Sequence, residues 1–168
     1  ARLVVGRYPN CHPTVHLGMN VRVYNKKNLV MEEHTNIDRG AIIMNTRAKV
    51  IFKKWSGAAV GLLAVSVNHM SVVGCNIKQV TDEMKDKLDV NHEMDKDIVV
   101  EEDCWIGSNV TLLSGVHIGR GGIVGSGSVV RKNTPPYAIV SGNPAKIVGF
   151  RFSPSEIIEH ENVLYAEN

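Results

Sequence analysis

The chain has 168 residues, a length that suits one domain with a substantial buried core. Its formal net charge is only +2, so it presents no strong field that would attract nucleic acid or a membrane surface. No apolar run approaches the roughly 18 residues that a membrane span needs. We therefore treat residues 1–168 as a single domain and expect neither a nucleic-acid partner nor a membrane span.

The cysteine content favours a reducing compartment. Cys11, Cys75 and Cys104 make an odd number, and the sequence contains no Cys-x-x-Cys pair. A disulfide framework is therefore not expected. The sequence also has no signal-peptide pattern. We expect a cytoplasmic protein, and the start at Ala1 leaves room for an upstream segment.

The first part of the chain carries degenerate copies of a six-residue repeat. Leu17, Val23 and Leu29 are six residues apart, and Ile37 and Ile43 continue the period in a shifted register. Terminal repeats of a stacked structure are usually atypical because they cap the stack. The pattern predicts the first turns of a coil of short strands rather than a helix.

The repeat is interrupted once. A small, apolar run over 56–69 ends at Asn68 and His69, and the period is lost from 70 to 97. Residues 82–97 are rich in Asp, Glu and Lys, and the stretch TDEMKDKLD allows a helical turn. Loops of this length within a regular structure are usually functional or disordered. We predict an inserted loop over 70–97.

Five unbroken six-residue repeats run from Ile106 to Val130. This period fits neither an α-helix nor a long strand, but it fits the hexapeptide parallel β-helix, in which three repeats close one triangular turn. Residues 18 apart then stack at roughly 4.8 Å, the spacing of paired strands. The predicted core residues are Ile106, Leu112, Ile118, Val124 and Val130. Glycines near the corners, where we expect positive φ, are Gly107, Gly115, Gly119, Gly121 and Gly125.

A polar break and a short tail follow the repeats. The break contains two adjacent prolines, and Ser153-Pro154-Ser155-Glu156 then forms a capping box with proline at the first helical position. A helix should follow and end near Tyr165. We predict a parallel prism over roughly 13–150 and a tail with a short helix over 151–168 that covers one end of the prism.

Three motifs within 98–150 carry a family resemblance. They are WIG at 105–107, SVVRK at 128–132 and GNPAK at 142–146. In order and spacing they resemble the left-handed β-helix acyltransferases, most closely the maltose and galactoside O-acetyltransferase branch and more distantly the xenobiotic acetyltransferases. The resemblance implies an all-β fold, a left-handed parallel β-helix whose hand departs from that of most parallel crossovers. It also implies a homotrimer with acetyl-coenzyme A between neighbouring prisms.

The same resemblance places the catalytic histidine at His69, at the end of a coil strand and just before the long loop. Transfer of acetyl from a thioester to a hydroxyl needs a base that takes the proton as the oxygen attacks. Histidine, with an ordinary pKa near 6.5, suits that role at neutral pH. His92 and His117 lack a matching context, so we expect them to be structural.

The coenzyme site implied by the resemblance begins with Trp105, which the family places beside the active-site cleft. An indole can pack against a pantetheine arm or a sugar ring, although it can also fill a contact between subunits. Ser108 and Ser126 are 18 residues apart and should stack along the coenzyme tunnel. Their backbone groups could donate to an oxyanion, while corner serines are also common for structural reasons.

The remaining implied site residues are basic or amide side chains. Arg131, Lys132 and Lys146 lie where the family holds the nucleotide end of the coenzyme, and their charge could neutralise phosphates. A solvated basic face explains the same residues equally well. Asn45 corresponds to an asparagine that orients the acceptor sugar.

Together these features predict an acetyl-coenzyme A-dependent O-acetyltransferase without a metal, acting on a sugar or glycan hydroxyl. N-acetylation of an amino sugar would use the same machinery, and the sequence does not separate the two. A zinc carbonic anhydrase on the same prism needs three converging histidines, including a close pair, and this spacing is absent. A non-catalytic assembly module would need neither His69 nor the basic tail. The small-molecule or glycan acceptor cannot be identified from the sequence.

Overall fold

The computed structural model describes residues 7–166. Over this range the chain forms sixteen short strands, nearly all parallel, and two α-helices. The predicted domain limits at 1 and 168 lie outside the described residues. Neither helix within residues 7–166 has the length and apolar character to cross a membrane. All three cysteines carry free thiols.

The strands form three sheets, which are the faces of a triangular prism. The first face contains, in stacking order, β1 (His16–Leu17), β4 (Asn36–Ile37), β7 (Gly57–Ala58), β10 (Trp105–Ile106), β13 (Ile123–Val124), β15 (Ala138–Gly142) and β16 (Ala145–Phe150). The second face contains β2 (Arg22–Val23), β5 (Ile42–Met44), β8 (Leu63–Val65), β11 (Thr111–Leu113) and β14 (Val129–Val130). The third face contains β3 (Leu29–Met31), β6 (Val50–Phe52), β9 (Ile98–Val100) and β12 (His117–Ile118).

The chain visits the three faces in this order and turns a corner between each pair. We call the corner between the first and second faces the first corner, that between the second and third faces the second corner, and that between the third and first faces the third corner. In a triangular cross-section, the second corner lies opposite the first face. This relation decides which of the predicted site residues can meet within one prism.

The predicted register of the five repeats is confirmed. Ile106 pairs with Val124 on the first face, and Leu112 pairs with Val130 on the second face, both in parallel. Each of the five predicted core side chains is at most 2% exposed. Because successive strand residues point to opposite faces, a two-residue strand such as β10 turns one side chain into the prism, and a three-residue strand such as β3 can turn two. Burying one such side chain contributes roughly 1.5–3 kcal/mol.

The degenerate N-terminal repeats also form turns of the coil. Leu17, Leu29, Ile37 and Ile43 are buried, whereas Val23 is only partly buried near the open end. A short 3-10 helix over Lys26–Asn28 completes the first turn. The prediction of coil turns in this part of the chain is therefore confirmed.

The parallel coil ends earlier than predicted. β15 still pairs in parallel with β13, but β16 pairs antiparallel with β15. Only Asn143 and Pro144, joined by a cis peptide bond, separate these two strands. A two-residue connection can join antiparallel strands, whereas a parallel pair needs a crossover of a dozen residues or more. The prediction of a parallel prism to residue 150 is therefore wrong for the last strand.

The C-terminal helix was predicted correctly from its capping box. Helix α2 (Pro154–Leu164) starts after Ser153, whose hydroxyl accepts from the Glu156 N–H while the Glu156 carboxylate accepts from the Ser153 N–H. The helix packs at the third corner, where Glu161 accepts hydrogen bonds from Tyr137 Oη at 2.6 Å and from Arg120 at 2.9 Å. It therefore covers a corner of the last turns of the coil, and the prediction that it covers one end of the prism is wrong.

The inserted segment leaves the coil at the second corner, between β8 and β9. It contains helix α1 (Asp82–Leu88), capped by the Thr81 hydroxyl, which accepts from the Met84 N–H. The third face continues past the insertion, since Val50 of β6 pairs with Ile98 of β9. The chain thus returns to the turn of the coil that it left.

The corner glycines have two different roles. Among the five glycines expected to have positive φ, only Gly115 and Gly121 do so, at +79° and +67°. The other three are needed for space. A Cβ atom on Gly107 would lie 2.7 Å from the backbone nitrogen of Ser126 in the next turn. The expectation of positive φ at every corner glycine was therefore wrong, because close stacking of the turns also excludes a side chain.

Candidate active site

His69 lies at the second corner, four residues beyond the end of β8 and at the start of the inserted segment. Its side chain is exposed and lines a cavity of about 290 Å³ between the coil and the insertion. The cavity is lined by Met44, Thr46, Arg47, Val65, Val67, Asn68, His69, Met70, Val80, Thr81, Asp82 and Lys85. The predicted base thus borders a space in which an acceptor could lie.

This cavity has a mixed lining, with five apolar residues among the twelve and seven that are polar or charged. The apolar side chains are Met44, Val65, Val67, Met70 and Val80. The hydroxyls of Thr46 and Thr81 and the carboxylate of Asp82 supply hydrogen-bonding groups beside His69. A concave space that combines apolar walls with polar groups is a candidate small-molecule site.

A charged network lies behind His69. Lys85 Nζ is 2.7 Å from Asp95 Oδ1, and their side chains are only 7% and 5% exposed. Arg47 Nε donates to the other Asp95 oxygen at 2.7 Å, and the Arg47 guanidinium also binds Asp86. Burial alone would raise the pKa of Asp95. The hydrogen bonds from Lys85 and from the Asn68 N–H outweigh this effect and lower that pKa below its ordinary value.

Trp105 projects from the first face. Its side chain is half exposed, at 49%, and it lies beside Gly57 in the adjacent strand, where a Cβ atom would be 3.4 Å from the ring and closer still to Asn36 Oδ1. Within one prism, this indole is on the face opposite the corner that carries His69.

Ser108 and Ser126 stack at the first corner, as predicted from their separation. The Ser126 hydroxyl accepts a hydrogen bond from the Ser108 N–H at 3.2 Å. This N–H is therefore already engaged, so it is not the free oxyanion donor that the sequence suggested. The exposed edge of the first corner still offers a narrow strip of small side chains next to Trp105.

The three predicted basic residues do not form one group. Lys146 in β16 pairs with Ser141 at the end of the first face. Arg131 and Lys132 follow β14 at the second corner, two turns of the coil beyond His69. The structure therefore places Lys146 on the side of Trp105, and Arg131 and Lys132 on the side of His69.

Asn45 does not have the geometry expected of an acceptor ligand. It is fully buried, with 0% exposure. Its side-chain oxygen accepts from the Asn25 N–H at 3.0 Å, and its side-chain nitrogen donates to the Asn25 carbonyl at 2.9 Å. Both polar atoms join two turns of the coil. The predicted acceptor-binding role of Asn45 therefore conflicts with its burial.

The other two histidines considered do not line this cavity. His92 lies in the inserted segment and is exposed. His117 lies on the third face, where its Nε2 is 2.7 Å from Glu101 Oε1 and Glu101 also binds Lys53 at 2.9 Å. Within residues 7–166, no three His, Cys, Asp or Glu side chains are grouped so that they could hold a metal ion.

Sequence comparison identifies the repeat. Residues 97–132 match the family model described as bacterial transferase hexapeptide (six repeats). This part of the chain is built of hexapeptide repeats. The predicted fold, a left-handed parallel β-helix with one long insertion and a short C-terminal helix, is confirmed.

The hexapeptide-repeat chain is similar to named acetyltransferases. It is 36% identical over 102 residues to a probable macrolide acetyltransferase from Lysinibacillus sphaericus, a match that covers 61% of this chain and 54% of that protein. The chain thus spans about half the length of this curated relative. The predicted resemblance to hexapeptide-repeat acyltransferases is confirmed.

Two solved structures share the fold. One is a hexapeptide-repeat-containing acetyltransferase from Vibrio cholerae in complex with acetyl-coenzyme A, with 22% identity, a TM-score of 0.68, and coverage of 85% of this chain and 70% of that chain. The other is a maltose O-acetyltransferase from Clostridium difficile, with 19% identity, a TM-score of 0.67, and coverage of 84% and 68%. At these identities the likeness establishes the fold.

Proposed function

We propose that the protein is an acetyl-coenzyme A-dependent O-acetyltransferase that uses His69 as its general base. The observation that carries the proposal is the position of His69, exposed beside a cavity formed by the coil and the insertion. The macrolide relative and the acetyl-coenzyme A complex of the Vibrio cholerae protein support the reaction class. The role of each site residue is part of the proposal.

The chemistry needs one proton carrier and one leaving thiol. The imidazole of His69 takes the proton of the acceptor hydroxyl while the hydroxyl oxygen forms a bond to the thioester carbon. The tetrahedral intermediate then collapses, the carbon–sulfur bond breaks, and the imidazolium returns the proton to the departing thiolate. The products are an acetyl ester and free coenzyme A.

The coenzyme is proposed to lie along the first face and first corner of one prism, beside Trp105, Ser108, Ser126 and Lys146. His69 of that prism is on the opposite corner, so a complete site needs His69 from a neighbouring copy. Arg131 and Lys132 of that neighbour then face the same cleft and contribute positive charge for the phosphates. This division of the residues supports a homotrimer with sites between subunits.

The acceptor is proposed to be a sugar or glycan hydroxyl attached to an apolar group. The five apolar side chains around the cavity favour a ligand with an apolar surface next to its reactive hydroxyl. An unmodified polar sugar would leave these walls in contact with water or with its own hydroxyls. An amino sugar remains the alternative, because its amine could attack the same thioester with the same base.

The decisive experiment replaces His69 with alanine. We expect His69→Ala to fold normally, to bind acetyl-coenzyme A with unchanged affinity, and to turn over roughly 10²–10⁴-fold more slowly. The measurement is thiol release from acetyl-coenzyme A with maltose, an alkyl glycoside, a macrolide and glucosamine as acceptors. His92→Ala and His117→Ala are the matched controls and should keep wild-type rates.

The pH profile gives a second criterion. Turnover by the wild type should fall at acidic pH, because a protonated imidazole cannot accept the proton of the acceptor hydroxyl. If His69→Ala kept the wild-type rate while His92→Ala abolished it, the base would lie in the charged part of the insertion and the assignment of His69 would be wrong. A protein that neither bound nor turned over acetyl-coenzyme A would be an assembly module instead.

A further inference from the structure

We propose that Lys85 and Asp95 are positioning residues that fix the predicted base His69 through the backbone of Asn68. This inference rests on the proposed function, since it concerns the base of that reaction. Neither side chain needs to touch the substrate. They form hydrogen bonds with the N–H and the carbonyl of Asn68, the residue directly before His69.

Three hydrogen bonds connect Asn68 to the insertion. Its N–H donates to Asp95 Oδ1 at 2.9 Å, and its carbonyl accepts from Lys85 Nζ at 2.5 Å. Its side-chain nitrogen donates to the Met94 carbonyl at 2.6 Å. The Lys85–Asp95 ion pair closes this arrangement, because both members bind the same residue and each other.

The hydrogen bonds between turns of the coil end before His69. β8 ends at Val65, and the Ser66 N–H bonds to the Met44 carbonyl of the previous turn. The Ser66 carbonyl accepts from the Ser114 hydroxyl of the following turn at 3.4 Å. The next hydrogen bonds of the main chain are those that Asn68 makes with Lys85 and Asp95. His69 lies one residue further on, so its position depends on these bonds more directly than on the strand.

The burial of the pair also points to a geometric role. A buried ion pair often contributes little net stability, because desolvation of two charges offsets their attraction, and apolar replacements can be neutral or stabilising. Apolar side chains could not hold the N–H and the carbonyl of one residue at the same time. Asp95 is held further by Arg47 on its second oxygen, which fixes the carboxylate relative to the coil.

The test replaces Lys85 with methionine, which keeps much of the side-chain length and removes the charge and the donors. We expect kcat to fall about 10- to 100-fold, since a displacement of a catalytic group by about 1 Å can cost a factor of that size. KM for acetyl-coenzyme A should not change, because Lys85 is not among the residues proposed to bind the coenzyme. The pH at which the rate rises should also stay the same, because the base is the same group.

The matched control is Lys87→Met. Lys87 lies in the same helix, is exposed, and forms no ion pair with the other residues of 7–166. It should leave kcat unchanged. Asp95→Asn, which keeps the size of the side chain, is a second variant in case Lys85→Met does not fold, and it should lower kcat in the same direction.

Hydrogen exchange separates this inference from the proposed reaction. Backbone amides over 66–72 should exchange faster in Lys85→Met and Asp95→Asn than in the wild type, while the amides of β10 and β13 stay protected. Unchanged exchange over 66–72 in both variants would overturn the positioning role, whatever the activity. An inactive wild type with faster exchange in the variants would refute the proposed function and leave the positioning of residue 69 supported.

Discussion

Position 107 accepts only glycine because the next turn of the coil occupies the space of a side chain. A Cβ atom there would lie 2.7 Å from the Ser126 nitrogen and 2.8 Å from the Val124 carbonyl oxygen. Both neighbours are backbone atoms, so they cannot move without shifting the next turn. The stack at the first corner, which includes Ser108 and Ser126, thus depends on the absence of one methyl group.

Gly107→Ala should therefore destabilise the protein by about 1–3 kcal/mol, the usual cost of forcing extra volume into a packed site. Gly149→Ala is the control, because no heavy atom of residues 7–166 lies within 4 Å of its added Cβ and its φ is not positive. The measurement is the free energy of unfolding in urea. Equal stability of the two variants would show that the corner can relax.

At this scale the sequence predicts apolar positions well and polar ones poorly. The six-residue period located Ile106, Leu112 and Ile118 in the core, because any other placement would expose a row of aliphatic side chains. The period does not tell whether a polar corner residue points inward or outward. Asn45 is buried because Asn25 presents both backbone groups to it in the turn before, and that match between distant residues has no local signature.

The corners also take positive φ at residues other than glycine. Four residues of the third corner have φ between 56° and 62°: His34, Trp55, Asp103 and Tyr137. His34 and Trp55 stack with ring centroids 4.0 Å apart. A bulky residue in this conformation is unusual, so sequence rules that assign such corners to glycine miss these positions.

Among the elements, the insertion is the one whose contacts could not be predicted from the sequence. The loss of the repeat after residue 69 locates the insertion, and Thr81 followed by Asp82 and Glu83 is a recognisable helix start. The sequence shows that the segment is rich in charged residues, but it does not show which of them form ion pairs. Arg47 and Asp95 are 48 residues apart, and only the closed coil brings them together.

The Asp95 contacts predict an acid-sensitive insertion. Because the pKa of Asp95 is lowered in the folded protein, its contribution to stability is complete above the unfolded value of about 3.9 and is lost as the pH falls through the lower folded value. Asp95→Asn should therefore be less stable than the wild type at pH 7, and the difference should shrink below about pH 4. Thermal unfolding across pH 3–7 measures it.

Glu83→Gln is the control for that series, since Glu83 lies exposed in helix α1 of the same insertion. It should differ from the wild type by a small amount that does not depend on pH. A difference for Asp95→Asn that stayed constant from pH 7 to pH 3 would contradict the assigned role of the carboxylate charge.

For the whole molecule, the outer side of the second face favours self-association. Its strands place partly exposed apolar side chains in neighbouring turns, among them Ile42, Met44, Leu63, Val65 and Leu113. A flat apolar wall of this kind is a suitable surface for burial against a second copy. Sedimentation at micromolar concentration should give about three times the 18.4 kDa of one chain.

Mixing two inactive variants tests whether sites are shared. His69→Ala and Trp105→Ala damage different sides of one prism, so a site between subunits can take its intact halves from two different copies. Randomly mixed trimers should recover about a quarter of the wild-type sites. The measurement is turnover after the two variants are coexpressed, with each variant alone as the control. No recovery in trimers shown to be mixed would place His69 and Trp105 in the same subunit's site.

The insertion leaves and re-enters the coil at one corner, with β6 and β9 still paired across the gap. The two parts of the molecule are therefore separable in evolutionary terms. Changes in the length or sequence of the insertion can alter the cavity beside His69 without disturbing the stacked turns that carry Trp105 and Ser126. The same coil can therefore serve different acceptors, because the inserted segment at its second corner determines which acceptor fits the cavity.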